Sequence, residues 1–306
     1  MPFFSTIIPV HNRRELVVPA IESALNQTFS DQEIIVVDDG STDGTADVVS
    51  GRFGGKIRVL RQANAGPGAA RNAGIAAARG EFVTFLDSDD VWFPRTLQSY
   101  RSAIERWPGV KFIAGSYVTF RGDTPPAEDD RPFAAERFPD FFASSARSVI
   151  LTTCSIAVHR SSLLSCGLFA PDRMNAEDHD QWMRLGTLGD FVLIGQPVSF
   201  AYRRAADSAV ANLDHTIRGM HYLIDQESAG RYPGGAARRR ERLTLLSRHV
   251  RPVTFAALRA GRPEDAWALF RRTLKWSIRL GRIRYLLAFP MRAAFTRRQG
   301  EPSPPP

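Results

Sequence analysis

Three short polar clusters in the first third of the sequence carry residue types that bind metal ions and phosphates. The clusters are His11–Arg13, Asp38–Gly44 and Asp87–Asp90, and each follows an apolar run. The last cluster places three carboxylates within four residues. Carboxylates this close together repel one another and raise each other's pKa unless a cation lies among them. Because a hard divalent ion prefers oxygen ligands, the clusters predict a site for such an ion and for a phosphate-bearing ligand.

The segments around these clusters alternate between strand patterns and helix patterns. This alternation predicts an α/β fold, a doubly wound sheet with right-handed crossovers and flanking helices. In such sheets ligands bind beyond the carboxyl ends of the strands, which is where the three clusters fall. Runs of β-branched apolar residues predict the strands Thr6–Val10, Glu33–Val37, Ile57–Leu60, Phe82–Leu86 and Phe112–Val118. Helical spacing predicts the helices Arg14–Asn26, Thr45–Gly51, Gly68–Ala78 and Pro94–Trp107.

The middle of the chain is less regular. Residues Arg121–Asp140 are rich in Pro and acidic side chains, which predicts an irregular loop. A strand is predicted over Ser148–His159, a helix near Ala176–Leu188 and another strand near Phe191–Phe200. These elements would extend the sheet that the first part of the chain begins.

The pattern is helical beyond Asn212, and the segment Val253–Leu280 predicts a helix, a Gly-Arg-Pro turn and a second helix that begins at Pro263. The segment Trp267–Arg298 interleaves Arg and Lys with large apolar residues. Three interpretations stay open: a solvated helical face, packing against the rest of the chain, or docking to an anionic membrane surface. In the last case each basic residue contributes about 1 kcal/mol. Helical spacing predicts one shared apolar face for Trp276, Leu280, Ile283 and Leu287.

The positive charge of the chain belongs to its C-terminal quarter. Residues 231–306 hold 18 Lys and Arg against 4 Asp and Glu, a balance of +14. Residues 1–230 hold 22 Lys and Arg against 28 Asp and Glu, a balance of −6. A nucleic-acid-binding module is therefore excluded, because the basic residues avoid the predicted site.

Length and composition indicate a folded protein. The 306 residues are 43% hydrophobic, which allows a buried core and excludes a disordered chain. The two cysteines, Cys154 and Cys166, are expected to be reduced thiols. The first 15 residues have a strand pattern rather than that of a signal peptide, and no run approaches the roughly 18 apolar residues of a membrane span. We therefore expect a cytoplasmic protein, peripheral at the inner face of the membrane if its basic helices dock there.

The motifs, taken in order, resemble one enzyme family. PVHNR, IIVVDDGSTDGT and NAGPGAARNAGIAAARGEFVTFLDSDDVW are similar to the family 2 inverting glycosyltransferases of the GT-A fold. The match covers residues 3–118, with a weaker second part to about residue 205. The resemblance implies transfer of a sugar from a nucleotide-diphosphate donor, a UDP- or dTDP-sugar, to an acceptor hydroxyl with inversion. It also implies a role in cell-surface glycan or polysaccharide synthesis, with a glycan or lipid-linked acceptor.

The resemblance implies a donor site at the first two clusters. Asp39 matches the acidic residue that accepts a hydrogen bond from the imide N–H of uracil or thymine, and Asp38 is expected to be structural. His11 stands where the family commonly has a Tyr stacked on the base, and Pro9 belongs to the same donor-binding segment. Arg71, at the start of a predicted helix, would face the base or the phosphates.

The third cluster resembles the DxD motif of the family. The resemblance implies that Asp89 binds Mn²⁺ or Mg²⁺ bridging the diphosphate, with Asp87 and Ser88 on the donor. The metal would offset charge on the departing nucleotide diphosphate. Gly66 and Gly68 would let the backbone approach the ligand closely.

The segment Glu177–Trp182 resembles the ED-x-x-x-W helix of the family, whose Asp acts as general base. Asp178 is the implied base, and Glu177 and Asp180 are its competitors. Partial burial would suit the role by raising the pKa of the carboxylate toward the working pH. Trp92 is expected to be a core residue, and whether Trp182 is also one stays open. His159 and His179 are expected to be solvated or structural rather than ligands.

The resemblance also divides the chain. Residues 1–210 would form the catalytic domain, with a nucleotide-sugar-binding half at 1–118 and an acceptor half at 119–210. A basic helical extension is expected over residues 211–300, and residues 301–306 are expected to be a disordered tail.

Three other classes of protein would show different sequence features. A non-catalytic sugar-nucleotide-binding protein would lack the Asp178 segment. A sugar-1-phosphate nucleotidyltransferase would carry a Gly-rich loop with a basic residue after the first strand. A dinucleotide-dependent dehydrogenase is excluded because no G-x-G-x-x-G follows the first strand.

Overall fold

The computed structural model of the protein describes residues 1–128, 130–147, 150–170, 174–204 and 212–299. These residues form two compact units. The first comprises the described residues between 1 and 204 apart from 145–147 and 174–176. The second comprises those two short segments together with residues 212–299. The predicted domain boundary at residue 210 falls outside the described residues and stays a prediction, as does the tail at 301–306.

An eight-stranded mixed sheet forms the centre of the first unit. Its strands are β1 Phe4–Val10, β2 Gln32–Asp39, β3 Arg58–Gln62, β4 Phe82–Phe85, β6 Phe112–Gly115, β8 Ala134–Phe138, β9 Ile156–His159 and β10 Phe191–Gln196. Their order across the sheet is β3-β2-β1-β4-β9-β6-β10-β8. Strands β1 to β4 run parallel, whereas β9 is antiparallel to both of its neighbours and β8 is antiparallel to β10. The predicted α/β sheet is thus confirmed, and it is mixed because β8 and β9 run antiparallel to their neighbours.

A second, three-stranded sheet lies in the same unit. It consists of β5 Val91–Trp92, β7 Tyr117–Phe120 and β11 Phe200–Arg203, in the order β5-β11-β7. The antiparallel pairing of β11 with β5 places β11 beside the residues that follow the Asp87–Asp90 cluster. This small sheet therefore supports the third polar cluster from one side.

Helices flank the sheets of the first unit. They are α1 Val17–Leu25, α2 Thr45–Phe53, α3 Pro67–Ala77, α4 Thr96–Arg106, α5 Arg160–Ser165 and α6 Glu177–Arg184. Helix α3 begins at a proline, which suits the first turn because that position has no intrahelical acceptor for an N–H. Two short 3₁₀ turns are Phe142–Ala146 and Thr153–Ser155.

Helix α3 lies unusually close to the central strand β1. A Cβ atom added at Gly74 would sit 2.4 Å from Cγ2 of Ile7, closer than real Cβ contacts allow. Ile7 itself is fully buried. Only glycine fits at this crossing, and the close contact fixes the start of α3 relative to the carboxyl end of the sheet.

The predicted elements of the first 107 residues are confirmed with shifted ends. The first helix starts at Val17 rather than Arg14. The amides of Arg13 and Arg14 instead donate to Thr45 Oγ1 and Asp43 Oδ2 in the neighbouring loop, at 3.2 Å each. These hydrogen bonds hold the residues before α1 against the segment after β2.

Several predictions for the middle of the chain are wrong in detail. The predicted loop Arg121–Asp140 contains the edge strand β8, whose side chains are mostly exposed and so lack an apolar pattern. The predicted strands Phe112–Val118 and Phe191–Phe200 each divide between the two sheets. The predicted strand Ser148–His159 is ordered as a strand only over β9, and residues 148 and 149 lie outside the described part.

The second unit is helical, as predicted. Its helices are α7 Leu213–Ser228, α8 Arg239–Arg259, α9 Pro263–Arg279 and α10 Ile283–Gln299. The turn before Pro263 is confirmed, since α8 ends at Arg259 and α9 begins at Pro263. Aromatic rings fill the space between the helices, and the rings of Phe270 and Phe289 stack with centroids 4.4 Å apart.

The predicted common face of the last two helices is wrong. Trp276 is 6% exposed, whereas Ile283 and Leu287 are 65% and 63% exposed. The chain turns at Gly281, which has φ +63°, so α9 and α10 are separate helices and their faces are not continuous. Each helix of the described residues falls short of the length and apolar character that a bilayer crossing demands.

Candidate active site

The loops after β1 and β2 are joined by hydrogen bonds. The amide of Asn12 donates to Ser41 Oγ at 2.9 Å, and the amide of Thr42 donates to Asn12 Oδ1 at 2.8 Å. Asp38 accepts from the amide of Ser41 at 3.1 Å, so its carboxylate shapes the turn. The first two polar clusters therefore meet at one sheet edge, and Asp38 is structural as expected.

Asp39 is buried and holds the segment before α3. Its carboxylate accepts hydrogen bonds from Gln62 Nε2 at 2.7 Å, from the amide of Ala65 at 2.9 Å and from the amide of Gly66 at 2.8 Å. A carboxylate has about four acceptor positions, so about one stays open for a ligand. The role of Asp39 as a base reader stays a prediction.

His11 lies at the rim of this edge and is exposed. Its Nδ1 is 2.9 Å from the backbone oxygen of Asp39, and its Nε2 is 2.9 Å from Nδ2 of Asn64. Pro9 is buried within β1, in register with Val37 of β2. The structure thus brings His11 and Asp39 together and places Pro9 in the sheet beneath them.

The two glycines at the start of α3 differ in their surroundings. Gly66 has φ +95°, a conformation that favours glycine, and its amide donates to Asp39. A Cβ atom at Gly68 would lie 2.7 Å from the backbone oxygen of Ala170. Glycine is therefore required at position 68 by its close contact with a neighbouring loop, and the expected close approach of its backbone to the ligand stays a prediction.

Arg71 links two acidic segments that are far apart in the sequence. Its guanidinium donates to Asp87 Oδ1 and to Glu177 Oε1, at 2.8 Å each. Arg71 is 5% exposed. Burial alone would lower the pKa of Arg71, but Asp87 and Glu177 outweigh burial and raise it, so the side chain stays charged. The third polar cluster and the start of α6 are thereby fixed to each other.

The carboxylates of the third cluster have further partners. Asp87 also accepts from Thr153 Oγ1 at 3.1 Å. Asp90 is buried and accepts from the amide of Arg203 at 2.8 Å and from Cys154 Sγ at 3.2 Å. Ligand atoms of Asp87, Asp90 and Cys154 lie within 4.8 Å of one another. Asp89 is outside this close group, and its place as a metal ligand stays a prediction.

Electrostatics of the cluster agree with the predicted need for a cation. Burial, followed by Asp87 and Asp89, raises the pKa of Asp90 well above its ordinary value. Burial and then Asp87 likewise raise the pKa of Asp89. Burial also raises the pKa of the Cys154 thiol, and a protonated thiol is a poor ligand for Mn²⁺ or Mg²⁺. The donors of this cluster that suit a hard ion are therefore its carboxylates, and which of them would bind the ion stays a prediction.

Asp178 lies in the first turn of α6 and pairs with the next residue. The distance from Asp178 Oδ1 to His179 Nδ1 is 2.6 Å. Burial would raise the pKa of Asp178, but the charge and hydrogen bond of His179, with Arg71 behind them, outweigh burial and lower it. The expected rise in the pKa of Asp178 toward the working pH is therefore wrong, because the pairing of Asp178 with His179 was not predicted from the sequence.

The two competing carboxylates of α6 are held by arginines. Glu177 pairs with the buried Arg71, and Asp180, which is 2% exposed, pairs with Arg184 at 2.9 Å. These pairs give both carboxylates a structural role. Trp182 and Trp92 are buried in the core, and Trp92 Nε1 donates to the backbone oxygen of Cys154 at 2.9 Å.

Four residues of the site were not predicted as site residues from the sequence: Asn64, Thr153, Cys154 and Arg203. Arg203 holds the third cluster through its amide and through Nε, which donates to the backbone oxygen of Asp89 at 3.0 Å. No pattern in the sequence marks it, because its position depends on the pairing of β11 with β5. A polar run directly before β9 was the available signal for Thr153 and Cys154.

The fold and this site define a glycosyltransferase with the GT-A architecture. The sequence profile of Glycosyl transferase family 2 matches residues 5–169. That match covers more than half of the chain and includes the three polar clusters. The chain therefore belongs to glycosyl transferase family 2.

Curated relatives match over parts of their length. Chondroitin synthase of Pasteurella multocida is 29% identical over 241 residues, which cover 76% of this chain and 24% of that protein. Hyaluronan synthase of Pasteurella multocida is 31% identical over 201 residues, which cover 62% of this chain and 19% of that protein. An uncharacterized glycosyltransferase of Nostoc is 52% identical over 97 residues, 31% of this chain and 30% of that protein. The chain thus spans less than a third of the length of these relatives.

Solved structures show the same fold. S. aureus TarS has a TM-score of 0.62 at 21% identity, covering 93% of this chain and 54% of that one. TarS in complex with UDP-GlcNAc has a TM-score of 0.60 at 19% identity and covers 92% of both chains. A mannosyltransferase from Pyrobaculum calidifontis in complex with GDP-Man and Mn²⁺ has a TM-score of 0.56 at 20% identity, covering 98% and 88%.

Proposed function

We propose that the protein transfers a sugar from a nucleotide-diphosphate donor to an acceptor hydroxyl with inversion of the anomeric configuration. One observation carries this proposal. The buried Arg71 joins Asp87, at the end of β4, to Glu177, the residue next to Asp178. The carboxylates proposed for the diphosphate side and the carboxylate proposed as base therefore belong to one rigid arrangement.

The proposed base is Asp178. It would take the proton of the acceptor hydroxyl while the oxygen attacks the anomeric carbon from the face opposite the diphosphate. Its carboxylate is ionised because His179 and Arg71 lower its pKa, so it is ready to accept a proton. The same cations make it a weaker base, and geometry rather than basicity would then supply most of its effect.

The proposed donor is a UDP- or dTDP-sugar. Asp39 supports a base that carries a ring N–H, such as uracil or thymine, since an acceptor position is left on its carboxylate. His11 lies beside it at the rim, where its ring would contact the base. Solved structures of the same fold include complexes with UDP-GlcNAc and with GDP-Man. The fold therefore leaves the donor base open, and the choice of a pyrimidine depends on Asp39 and His11.

Metal dependence is proposed for the third cluster. Asp89, with Asp87, would hold Mn²⁺ or Mg²⁺, and the bound ion would stabilise the negative charge of the leaving diphosphate. The closely spaced carboxylates of Asp87 and Asp90 support a cation in this cluster, and burial together with Asp87 raises the pKa of Asp89 next to them. Ser88 is buried and stands between Asp87 and Asp89 in the sequence. It would orient the donor from the same turn.

The proposed acceptor is a growing glycan or a lipid-linked sugar. The names of the curated relatives, chondroitin synthase and hyaluronan synthase, support polysaccharide synthesis. We propose a cytoplasmic protein that works at the inner face of the membrane, where such acceptors are presented. The basic helices α8 to α10 support that position through their charge.

The experiment that tests the metal and donor proposals uses Asp89→Asn. We expect wild type to bind UDP in Mn²⁺ and to lose affinity at least tenfold in EDTA, because the diphosphate then lacks its counterion. Asp89→Asn should bind UDP weakly in both conditions, as measured by calorimetry. The matched control is Asp31→Asn, an exposed carboxylate at the start of β2. Unchanged affinity in EDTA or in Asp89→Asn would contradict the metal site.

A turnover assay separates the enzyme from its rivals. We expect slow hydrolysis of one nucleotide sugar without acceptor, with release of the nucleoside diphosphate. A binding protein without catalysis would retain the donor intact. A nucleotidyltransferase would instead consume a sugar 1-phosphate and a nucleoside triphosphate.

A further inference from the structure

The last helical hairpin exposes a stripe of large apolar side chains. Ile283, Leu287 and Met291 of α10 are 65%, 63% and 62% exposed, and Ile278 at the end of α9 is 61% exposed. The three residues of α10 are spaced by four, so they form one line along the helix. The other exposed large apolar residues of the described chain are scattered singly, at Met1, Ile150 and Leu164. We call the four residues of the hairpin the apolar stripe.

The opposite face of α10 is well packed, which shows that the stripe is not a loosely folded helix end. Tyr285 and Phe289 are 6% and 0% exposed. Tyr285 contacts Thr254 of α8 by a hydrogen bond of 3.1 Å, and Phe289 stacks on Phe270 of α9. The helix therefore has a buried aromatic face and an outer apolar face. The outer face requires its own explanation.

Charge around the stripe is of one sign. Residues 266–300 contain nine Lys and Arg and no Asp or Glu. Lys275, Arg279 and Arg284 are exposed, and no carboxylate of the described residues forms an ion pair with them. By contrast, Arg262 and Arg272 pair with Asp214 and Asp225 of α7. Unneutralised positive charge is thus concentrated beside the apolar stripe.

We infer that the apolar stripe and its basic neighbours dock the protein onto an anionic lipid bilayer, with α10 lying in the plane of the interface. Basic and apolar residues on one face are the pattern of helices that bury their apolar side about 5–10 Å into the headgroup region. A continuous anionic surface matches Lys275, Arg279 and Arg284, whose charges are exposed and have no carboxylate partner among the described residues.

A second copy of this chain fits the surface less well. The same face on a partner would place like charges opposite each other, since an isologous interface brings a patch against itself. A stable protein interface also uses roughly 20–30 residues a side, whereas the stripe has four large apolar residues. The lipid surface is therefore the occupant that the charges favour.

This inference does not depend on glycosyl transfer, although it deepens the proposed position at the membrane. Its test is vesicle co-sedimentation of the full chain. We expect binding to phosphatidylcholine vesicles that contain phosphatidylglycerol, and at least tenfold weaker binding to pure phosphatidylcholine. High salt should also weaken binding, because surface charges are screened.

Two variants of the stripe and two controls sharpen the test. Ile283→Ser/Leu287→Ser/Met291→Ser removes apolar area, and Lys275→Gln/Arg279→Gln/Arg284→Gln removes charge. We expect each to weaken binding to the anionic vesicles at least tenfold. The matched controls remove exposed apolar or basic residues elsewhere: Ile150→Ser/Leu164→Ser and Arg52→Gln/Arg61→Gln. These controls should bind as wild type does.

Two readouts keep the outcomes separate. Circular dichroism and thermal unfolding establish that each variant is folded, and UDP binding measures the proposed function independently. Equal binding to neutral vesicles, or full binding by the two stripe variants, would overturn the inference. Sedimentation velocity provides the other contrary result: a wild-type dimer that the apolar variant dissociates, without any vesicle binding, would assign the stripe to a protein interface.

Discussion

At the scale of single residues, Asp39 has two roles to separate. It holds the amides of Ala65 and Gly66, and it is proposed to accept from the donor base. Asp39→Asn would turn an amide group toward those two backbone donors and lose hydrogen bonds to a charged acceptor. Each such bond is worth about 1.5–3 kcal/mol, so we expect a lower melting temperature.

The base-reading role predicts something more specific. UDP affinity of Asp39→Asn should fall further than ADP affinity, because uracil has an imide N–H to donate to the carboxylate and adenine has no ring N–H at the equivalent position. Calorimetry with both nucleotides in Mn²⁺ gives the comparison. Asp47→Asn, at an exposed position in α2, is the control for a lost surface charge. Equal losses for UDP and ADP would leave Asp39 as an anchor of the loop alone.

Asp178→Asn tests the proposed base while keeping the side-chain volume. We expect transfer to fall by about 10²- to 10⁴-fold, the usual effect of losing a general base. UDP affinity should change little, because the proposed diphosphate contacts lie at Asp87 and Asp89. Steady-state kinetics and calorimetry together check both statements. Near-normal turnover in Asp178→Asn beside an inactive Glu177→Gln would move the role to Glu177.

The ion pair of Asp178 and His179 makes a prediction for the pH profile. The pKa of Asp178 is lowered in the folded protein, so the ionised base is present above that value and is lost as the pH falls through it. The acid limb of kcat/KM should therefore lie below the ordinary carboxyl range. In His179→Gln the lowering charge is absent, and the limb should move to higher pH. An identical limb in both proteins would mean that His179 does not act on the base.

The residues of the site were predictable from the sequence where motifs and sheet ends coincide. His11, Asp39 and the Asp87–Asp90 cluster follow β1, β2 and β4, whose carboxyl ends share one edge. The partners that set their chemistry were not predictable. Arg71 reaches Glu177 across 106 positions of sequence, and Arg203 enters through a separate sheet.

At the scale of secondary-structure elements, Gly74 tests how closely α3 packs on β1. Gly74→Ala would place Cβ 2.4 Å from Ile7 Cγ2, and overpacking of this kind costs about 1–3 kcal/mol. Gly51→Ala is the matched control, since Gly51 is also helical and no atom lies within 4 Å of its added Cβ. That control should stabilise by about 0.5–1 kcal/mol through helix propensity.

Chemical denaturation of the two alanine variants decides between packing and propensity. Opposite signs are expected, with unchanged m-values because the exposed area on unfolding is the same. A Gly74→Ala protein as stable as wild type would show that β1 and α3 can move apart. Donor affinity of that variant then reports whether the position of α3 matters for the site.

Elements were predictable where burial gives them a strong pattern. The parallel strands β1, β2 and β4 are buried on both faces and stand out as apolar runs. The edge strand β8 has mostly exposed side chains, so its sequence could not distinguish it from a loop. Division of two predicted strands between the sheets also escaped prediction, because pairing partners are set by tertiary structure.

At the scale of the whole molecule, charge separates the chain into two parts that the sequence alone revealed. Residues 1–230 carry −6 and residues 231–306 carry +14. The helical nature of the second part was predictable from its spacing, but its exposed faces were not. A single turn at Gly281 decided which apolar residues of the hairpin are buried.

The site as a whole predicts the stereochemistry of the reaction. A single displacement needs one base and inverts the anomeric carbon, whereas retention by double displacement needs a second carboxylate as nucleophile. Among the carboxylates of α6, Glu177 and Asp180 are engaged by Arg71 and Arg184. We therefore expect an α-linked donor to give a β-linked product, which the coupling constant of the anomeric proton in an NMR spectrum reports. The same spectrum recorded with Glu177→Gln is the control, because loss of a nucleophile would abolish a retained product. A retained configuration in the wild-type product would reject single displacement and with it the base role of Asp178.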